Sequence, residues 1–245
     1  MLHLKADLHL HSCLSPCAEE DMNPVAVLTR VRQLGYDLIA LADHHHGGNV
    51  TSFQKKGREI GIRVIPAMEV ETVERVHLLC LFDTLEQLQL WQVQVAEALL
   101  GGVNPREFYG PQLLVDDEGR ITGEVEELLL NPLSFDVFEV VERVKGLGGV
   151  VIPAHLDRPG HSLIFHMGME ILKVFPAVEI SSHMEPAVVR EIYDLNPDQT
   201  VLVSSDAHFL AELKAPRVII HVAEVSVKEL ELAFRGQDGR WVEVF

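Results

Sequence analysis

The chain has 245 residues, 47% of them apolar and 23% charged, with a formal net charge of −17; this composition excludes a disordered chain and supplies enough length for one substantial core. So acidic a chain lacks the clustered Lys and Arg on which binding to long nucleic acid rests, although bound cations would change the charge locally. No apolar run approaches the roughly 20 residues of a membrane span and no basic, apolar and small-residue leader opens the sequence, which predicts a cytoplasmic protein with no membrane partner.

Leu4 to His11 alternates as a strand, so His9 and His11 in Asp7-Leu8-His9-Leu10-His11 project from one face. Two imidazoles on one strand face are half a metal site, although alone the pentapeptide reads first as a histidine-bearing surface strand. A loop from Ser12 to Met22 carries Cys13 and Cys17, and with Cys80 in an apolar run the odd number of cysteines predicts no disulfide framework. Asn23-Pro24 caps a helix whose stripe is Leu28, Val31 and Leu34, stopped by Gly35. Tyr36 to Ala42 is a buried strand ending in Asp43-His44-His45-His46.

A helix over Thr51 to Ile60 leads to a strand over Ile62 to Glu71, with Glu69 near its end. Val76 to Phe82 is a further strand with His77 near its beginning, and Leu85, Leu88, Trp91, Val95 and Leu99 mark a long amphipathic helix. Residues 103–131 break this rhythm with a turn at Asp116-Asp117-Glu118-Gly119 between short apolar runs, which predicts a hairpin insertion serving as a lid. Ser134 is the expected cap of a helix bearing Phe138, Val141 and Val144. Strands follow at Gly149 to Ala154, ending at His155, and at Ala177 to Ile180, ending near Ser181-Ser182-His183. Glu185 to Leu195 is helical, and a strand over Thr200 to Ser204 runs into Ser205-Asp206-Ala207-His208. A strand at Arg217 to Val222, a helix from Val227 to Phe234 and a tail at Trp241 to Phe245 close the chain.

No linker or repeat divides the sequence, so residues 1–245 are expected to form one barrel domain. Strands alternating with helices predict right-handed crossovers and a mainly parallel sheet, and about seven or eight such strands can close into a barrel with its site at their C-terminal ends. Collecting those ends gives His9, His11, Asp43, His44, Glu69, His155, Asp206 and His208, joined by His77. As purely structural residues they would crowd uncompensated polar groups into one mouth, a cost that metal cations remove. His3, His161, His166 and His221 read instead as ordinary structural histidines.

In this order of motifs the chain resembles the PHP (polymerase and histidinol phosphatase) superfamily of metal-dependent phosphoesterases. The resemblance rests on His9-x-His11, Asp43-His44, Glu69, His77, Pro153-Ala154-His155 and Ser205-Asp206-Ala207-His208, which span residues 7 to 208. It implies a distorted (β/α)7 TIM-like barrel holding two or three divalent ions, Zn, Mn or Fe. It further implies that His9, His11, Glu69 and Asp206 hold one ion, that Glu69 bridges to a second held by His77 and His155, and that His44 and His208 face a third. The family places an Asp or His in the loop after the paired histidines; here Cys17 is the candidate by spacing, with Asp21 behind it, and a thiolate would favour Zn or Fe over Mn. Asp43 and Asp7 either ligate or orient a ligating histidine.

The chemistry implied is attack of a metal-bound water on phosphorus, with Asp206 and His208 as alternative proton shuttles and no side-chain nucleophile. Arg158 and His183 are candidates for holding substrate. The expected reaction is hydrolysis of a phosphomonoester of a small metabolite or nucleotide. The alternatives are a phosphodiesterase or exonuclease on short oligonucleotides or cyclic nucleotides, and a metal-binding regulatory protein without turnover.

Overall fold

The structure, a computed structural model, describes residues 1–245. Eleven strands and eight α-helices follow one another along the chain. The first half contains β1 (Leu2–Leu10), α1 (Pro24–Leu34), β2 (Leu38–Leu41), α2 (Val50–Ile60), β3 (Arg63–Glu71), β4 (His77–Leu81), α3 (Leu85–Ala98), α4 (Arg106–Tyr109), β5 (Leu113–Val115) and β6 (Ile121–Glu124). The second contains α5 (Val137–Gly146), β7 (Val150–Pro153), α6 (Leu163–Met167), β8 (Ala177–Ser181), α7 (Pro186–Ile192), β9 (Thr200–Ser204), β10 (Val218–Val222), α8 (Val227–Phe234) and β11 (Trp241–Val244). No helix is long and apolar enough to cross a membrane.

A curled seven-stranded sheet in the order β11-β10-β1-β2-β3-β4-β7 forms one wall, and β8 and β9 pair separately. Backbone bonds tie that pair to both flanks: Leu156 N–H donates to Glu179 O at 2.8 Å, and Asp206 N–H to His9 O at 2.9 Å. The arrangement is an α/β fold consistent with a distorted TIM-like barrel. Its core joins 62 buried residues, with the apolar strands inside and helix stripes such as Val27, Leu28 and Val31 packed onto them.

The expected mainly parallel sheet is corrected by the pairing. β1–β2, β2–β3 and β8–β9 are parallel, whereas β3–β4, β4–β7, β1–β10 and β10–β11 are antiparallel. The link from Glu71 to His77 is too short for a crossover, which takes a dozen or more residues, so the chain turns back on itself. This reversal explains why His77, at the start of its strand, belongs with residues at strand ends: it sits opposite Glu71, and Leu78 opposite Pro153.

Other boundaries moved for local reasons. α5 starts after Asp136 rather than Ser134, because Asp136 and Glu139 form a reciprocal capping box. The expected tail at 241–245 contains β11, paired with β10. Within the insertion, β5 and β6 form the expected antiparallel hairpin. It is fastened to the body by Asn49, whose Nδ2 donates to Leu113 O at 3.0 Å while its Oδ1 accepts from Val115 N–H at 2.9 Å.

Candidate metal centre

The polar residues at these strand ends converge in a cavity of ≈ 400 Å³. Three lie in left-handed backbone just past their strands, His45 (φ 52°), His155 (φ 28°) and Asp206 (φ 49°). Such conformations are costly for non-glycine residues and persist only where the surroundings enforce them.

His9, His11, Glu69 and Asp206 are all buried, and one ligand atom from each lies within 4.8 Å of the others. His9 Nε2 is 3.1 Å from His11 Nε2 and 3.2 Å from Asp206 Oδ1, which is itself 3.1 Å from His11 Nε2. The far side of each ring is committed. His9 Nδ1 faces Glu179 Oε1 at 2.9 Å, and His11 Nδ1 faces Ser15 Oγ at 2.9 Å. Ser15 Oγ in turn donates to Asp43 Oδ1 at 2.7 Å, so its hydroxyl is left to accept from His11. With Nδ1 of each ring turned to an acceptor, two Nε2 atoms and two carboxylates converge in a dry space; burial pushes His9 down, but the carboxylates of Glu179, Asp206 and Glu69 raise it well above its usual value, so in the absence of a metal its ring carries the positive charge of the group. This arrangement calls for a cation.

Glu69 reaches both ways. Its Oε1 lies 2.9 Å from His77 Nδ1 and 3.3 Å from His155 Nε2, and its Oε2 lies 3.4 Å from His11 Nε2 and 3.0 Å from His44 Nδ1. Oε2 is buried and meets no donor in hydrogen-bonding geometry, although His44 Nδ1 lies 3.0 Å away. Burial pushes the Glu69 carboxyl up, but the imidazoles of His77, His9 and His44 hold it well below the usual carboxylate range. Asp206 is likewise pushed up by burial and held low by His9 and His11. Burial drives His77 down to about 4, and with the neighbouring His208 it keeps His11 low, so both rings are neutral at pH 7. The donor set, with a buried oxygen that makes no hydrogen bond, fits divalent ions.

A third group brings His11, His44 and His208 together. Although burial pushes the Cys17 thiol up, the His44 and His208 imidazoles facing it bring it down to about 6, a thiolate at neutral pH, even though the residue as a whole is exposed. Ring stacking of His11 on His208 (centroids 4.1 Å apart) holds this group beside the first.

The remaining candidates divide. Asp43 spends its oxygens on Ser12 N–H (2.7 Å), Ser12 Oγ (2.6 Å) and Ser15 Oγ (2.7 Å), which places it behind His11 rather than among the converging atoms. Asp7 accepts from His9 N–H at 3.2 Å and Ser205 N–H at 3.2 Å and also stands outside the cluster. Arg158 lines the cavity and ion-pairs with Asp206. His183 is exposed in the turn after β8 and is not among the residues lining the cavity. His161, expected to be structural, lines the cavity, stacks on His77 with centroids 4.2 Å apart and lies 3.6 Å from Glu71.

Sequence reasoning missed Glu179, Ser15, Glu71 and His161. Glu179 carried a signal, a carboxylate inside the apolar run Ala177-Val178-Glu179-Ile180, where burial requires a partner. The insertion supplies Tyr109, Leu129 and Leu130 to the cavity wall.

No protein-family profile matches the chain. An uncharacterized protein of Bacillus subtilis is 30% identical over 106 residues, which are 40% of this chain and 27% of that one. One of Methanocaldococcus jannaschii is 28% identical over 165 residues, 67% of this chain and 18% of that one. The chain therefore spans well under half the length of either relative. In structure it is similar to the lesion-specific endonuclease Q of Pyrococcus furiosus, with a TM-score of 0.69 and 20% identity over 98% of this chain and 58% of that one. Another endonuclease Q structure, also at 0.69 and with 19% identity, holds a 27-mer duplex with an abasic lesion at the active site. A two-domain protein of Bacteroides vulgatus containing a predicted PHP-like metal-dependent phosphoesterase aligns at 0.58 with 15% identity, over 96% of this chain and 63% of that one. At these identities the likenesses establish a shared fold, and the structural neighbours of the chain include PHP-like metal-dependent phosphoesterases.

Proposed function

We propose that this chain, built on the fold of PHP-like metal-dependent phosphoesterases, hydrolyses phosphate esters, and that its substrate is a phosphomonoester of a small metabolite or nucleotide. The observation that carries the reading is Glu69, a buried carboxylate placed between two sets of imidazoles with one oxygen making no hydrogen bond. His9, His11, Glu69 and Asp206 would hold one ion, Glu69, His77 and His155 a second, and Cys17, His44 and His208 a third. Divalent ions in such sites acidify water and offset the charge on phosphoryl oxygens.

The protein's own groups do the rest. Glu179 and Ser15 fix the rings of His9 and His11, and the ion pair with Asp206 aims Arg158 at a phosphoryl oxygen in the cavity. His208 Nδ1 is held by Asp206 O at 2.8 Å, which leaves Nε2 to face the third group; a proton-shuttle role for His208 or Asp206 is the alternative to ligation rather than an addition to it. The apolar wall of Tyr109, Leu129 and Leu130 keeps water from one side, so residues 103–131 act as a lid on a single 1–245 domain. A cavity of ≈ 400 Å³ suits a mononucleotide-sized ester.

The likeness to endonuclease Q over nearly the whole chain favours a second reading, a phosphodiesterase acting on nucleic acid. It runs against the expectation from a net charge of −17 that no long nucleic acid is bound. The test is a panel of phosphomonoesters, dinucleotides and lesion-bearing duplexes, assayed on protein reconstituted with Mn, Zn or Fe. Phosphate release from small monoesters, lost together with bound metal in Glu69→Ala, is expected. Cleavage of duplexes with no monoester turnover would select the second reading. Full metal content with no hydrolysis of any ester would leave a regulatory metal-binding protein.

A further inference from the structure

Two arginines line the cavity, and they are differently employed. Arg158 is held by its ion pair with Asp206, inside the group of converging side chains. Arg75 comes from the short turn between β3 and β4, where it has a left-handed backbone (φ 68°) that glycine or asparagine adopts far more readily. The turn is closed by Arg75 N–H donating to Thr72 O at 2.9 Å and is tied to the helix-entry loop by Val73 N–H donating to Phe135 O at 2.9 Å. Its guanidinium is ion-paired with Glu71, Nε lying 2.6 Å from Oε1 of a carboxylate only 4% exposed. Neither Nη group makes a hydrogen bond within the protein, and the side chain is half-exposed at the mouth.

The anchor is itself built into the site. Glu71 Oε2 is 3.9 Å from His77 Nε2, and Glu71 Oε1 is 3.6 Å from His161 Nδ1. Arg75 is thus separated from Glu69 by one carboxylate and one imidazole, close to the cluster but not part of it. A guanidinium beside Glu71 also disfavours a cation there, although Glu71, His77 and His161 come close enough to hold one.

We propose that Arg75 is a specificity-determining residue that grips a second anionic group of the substrate, a phosphate flanking the one that is cleaved. The inference rests on the phosphoesterase reading and refines its substrate class. A strained turn, a buried carboxylate fixing Nε and a free Nη pair facing the cavity make a preorganised fork of the kind that recognises phosphate oxygens in pairs. In a chain with a net charge of −17, such a fork also supplies local attraction for an ester carrying more than one phosphate.

The test is equilibrium binding to metal-loaded protein, using phosphorothioate versions of the probes to resist cleavage. Thymidine 5′-monophosphate and dithymidine monophosphate carry one phosphate each, and 5′-phosphorylated dithymidylate carries two. Arg75→Gly, which relieves the backbone strain, should weaken the two-phosphate probe at least tenfold and leave both one-phosphate probes within twofold. Arg75→Lys should fall between. Equal weakening of all three probes, or no change in any, would overturn the assignment, as would failure of the wild-type protein to bind any probe. Because binding is read rather than turnover, a protein that discriminates the probes but cleaves no ester would refute the phosphoesterase reading while leaving Arg75 as the grip on the second phosphate of a bound ligand.

Discussion

Replacing Glu179 with alanine isolates the role of a residue that touches no metal in the proposed scheme. Its Oε1 lies 2.9 Å from His9 Nδ1, with the side chains 1% and 0% exposed, and it also accepts from His155 N–H at 3.2 Å. Without this acceptor the His9 ring is free to change tautomer, and Nε2 then carries a proton where a ligand lone pair is needed. Partners of this kind contribute about 10- to 100-fold to metal affinity, or roughly 1.4–2.8 kcal/mol. Metal at about 1,000 times its dissociation constant stabilises a folded chain by roughly 4.1 kcal/mol. At the same concentration the variant would retain roughly a third to two thirds of that gain.

For a chain of this size each kcal/mol moves the Tm by about 2–4 °C. Calorimetry with and without added Zn or Mn, after chelation, should therefore show a metal-induced rise of about 8–16 °C in wild type and a clearly smaller one in the variant. The metal-free Tm of Glu179→Ala will also fall, because His155 N–H loses an acceptor, so the increment rather than the absolute value is the readout. Glu179→Gln keeps an acceptor oxygen and should recover most of the increment. An undiminished increment in Glu179→Ala would refute the idea that Glu179 sets the His9 tautomer.

Two further outcomes follow from buried polar groups outside the cluster. Burial raises the Asp7 carboxyl from 3.8 to about 6, so the metal-free folded state holds this proton more tightly than the unfolded chain. Its contribution is therefore fully present below about pH 4 and is lost as pH rises through about 6, a change of about 3 kcal/mol; Asp7→Asn should flatten that part of the urea-midpoint profile, and parallel profiles would contradict the assignment. Asn49→Ala leaves Leu113 O and Val115 N–H unpaired and removes a donor from Ser12 Oγ, at a cost of about 1–3 kcal/mol that falls on the hairpin and its attachment to the loop after β1. Amide exchange at Val115 should accelerate while the β2 and β3 amides keep their protection; uniform loss across the sheet would show that the hairpin is not fastened separately.

The site was more legible in the sequence than the sheet. His9-x-His11, Asp43-His44 and Asp206-x-His208 are contacts made within a few residues at the end of a strand, where a period of two and a strand boundary suffice to place them. Glu179 and His9 lie 170 residues apart, and nothing local in either segment records the pairing. Ser15 is similar: its hydroxyl matters because a chain reversal brings it between His11 and Asp43. The antiparallel β4 could have been read, since five residues between Glu71 and His77 cannot hold a crossover helix. An expectation of barrel alternation concealed it. His161 was passed over because it follows a proline-glycine turn rather than a strand, and only the fold stacks it on His77.

The central claim, that Glu69 bridges metal ions, is tested most directly by anomalous diffraction from crystals of chelated protein soaked in Zn or Mn. The account predicts one peak among His9, His11, Glu69 and Asp206 and a second among Glu69, His77 and His155, both within coordinating distance of the Glu69 carboxylate. Full reconstitution with no peak at Glu69 would contradict it.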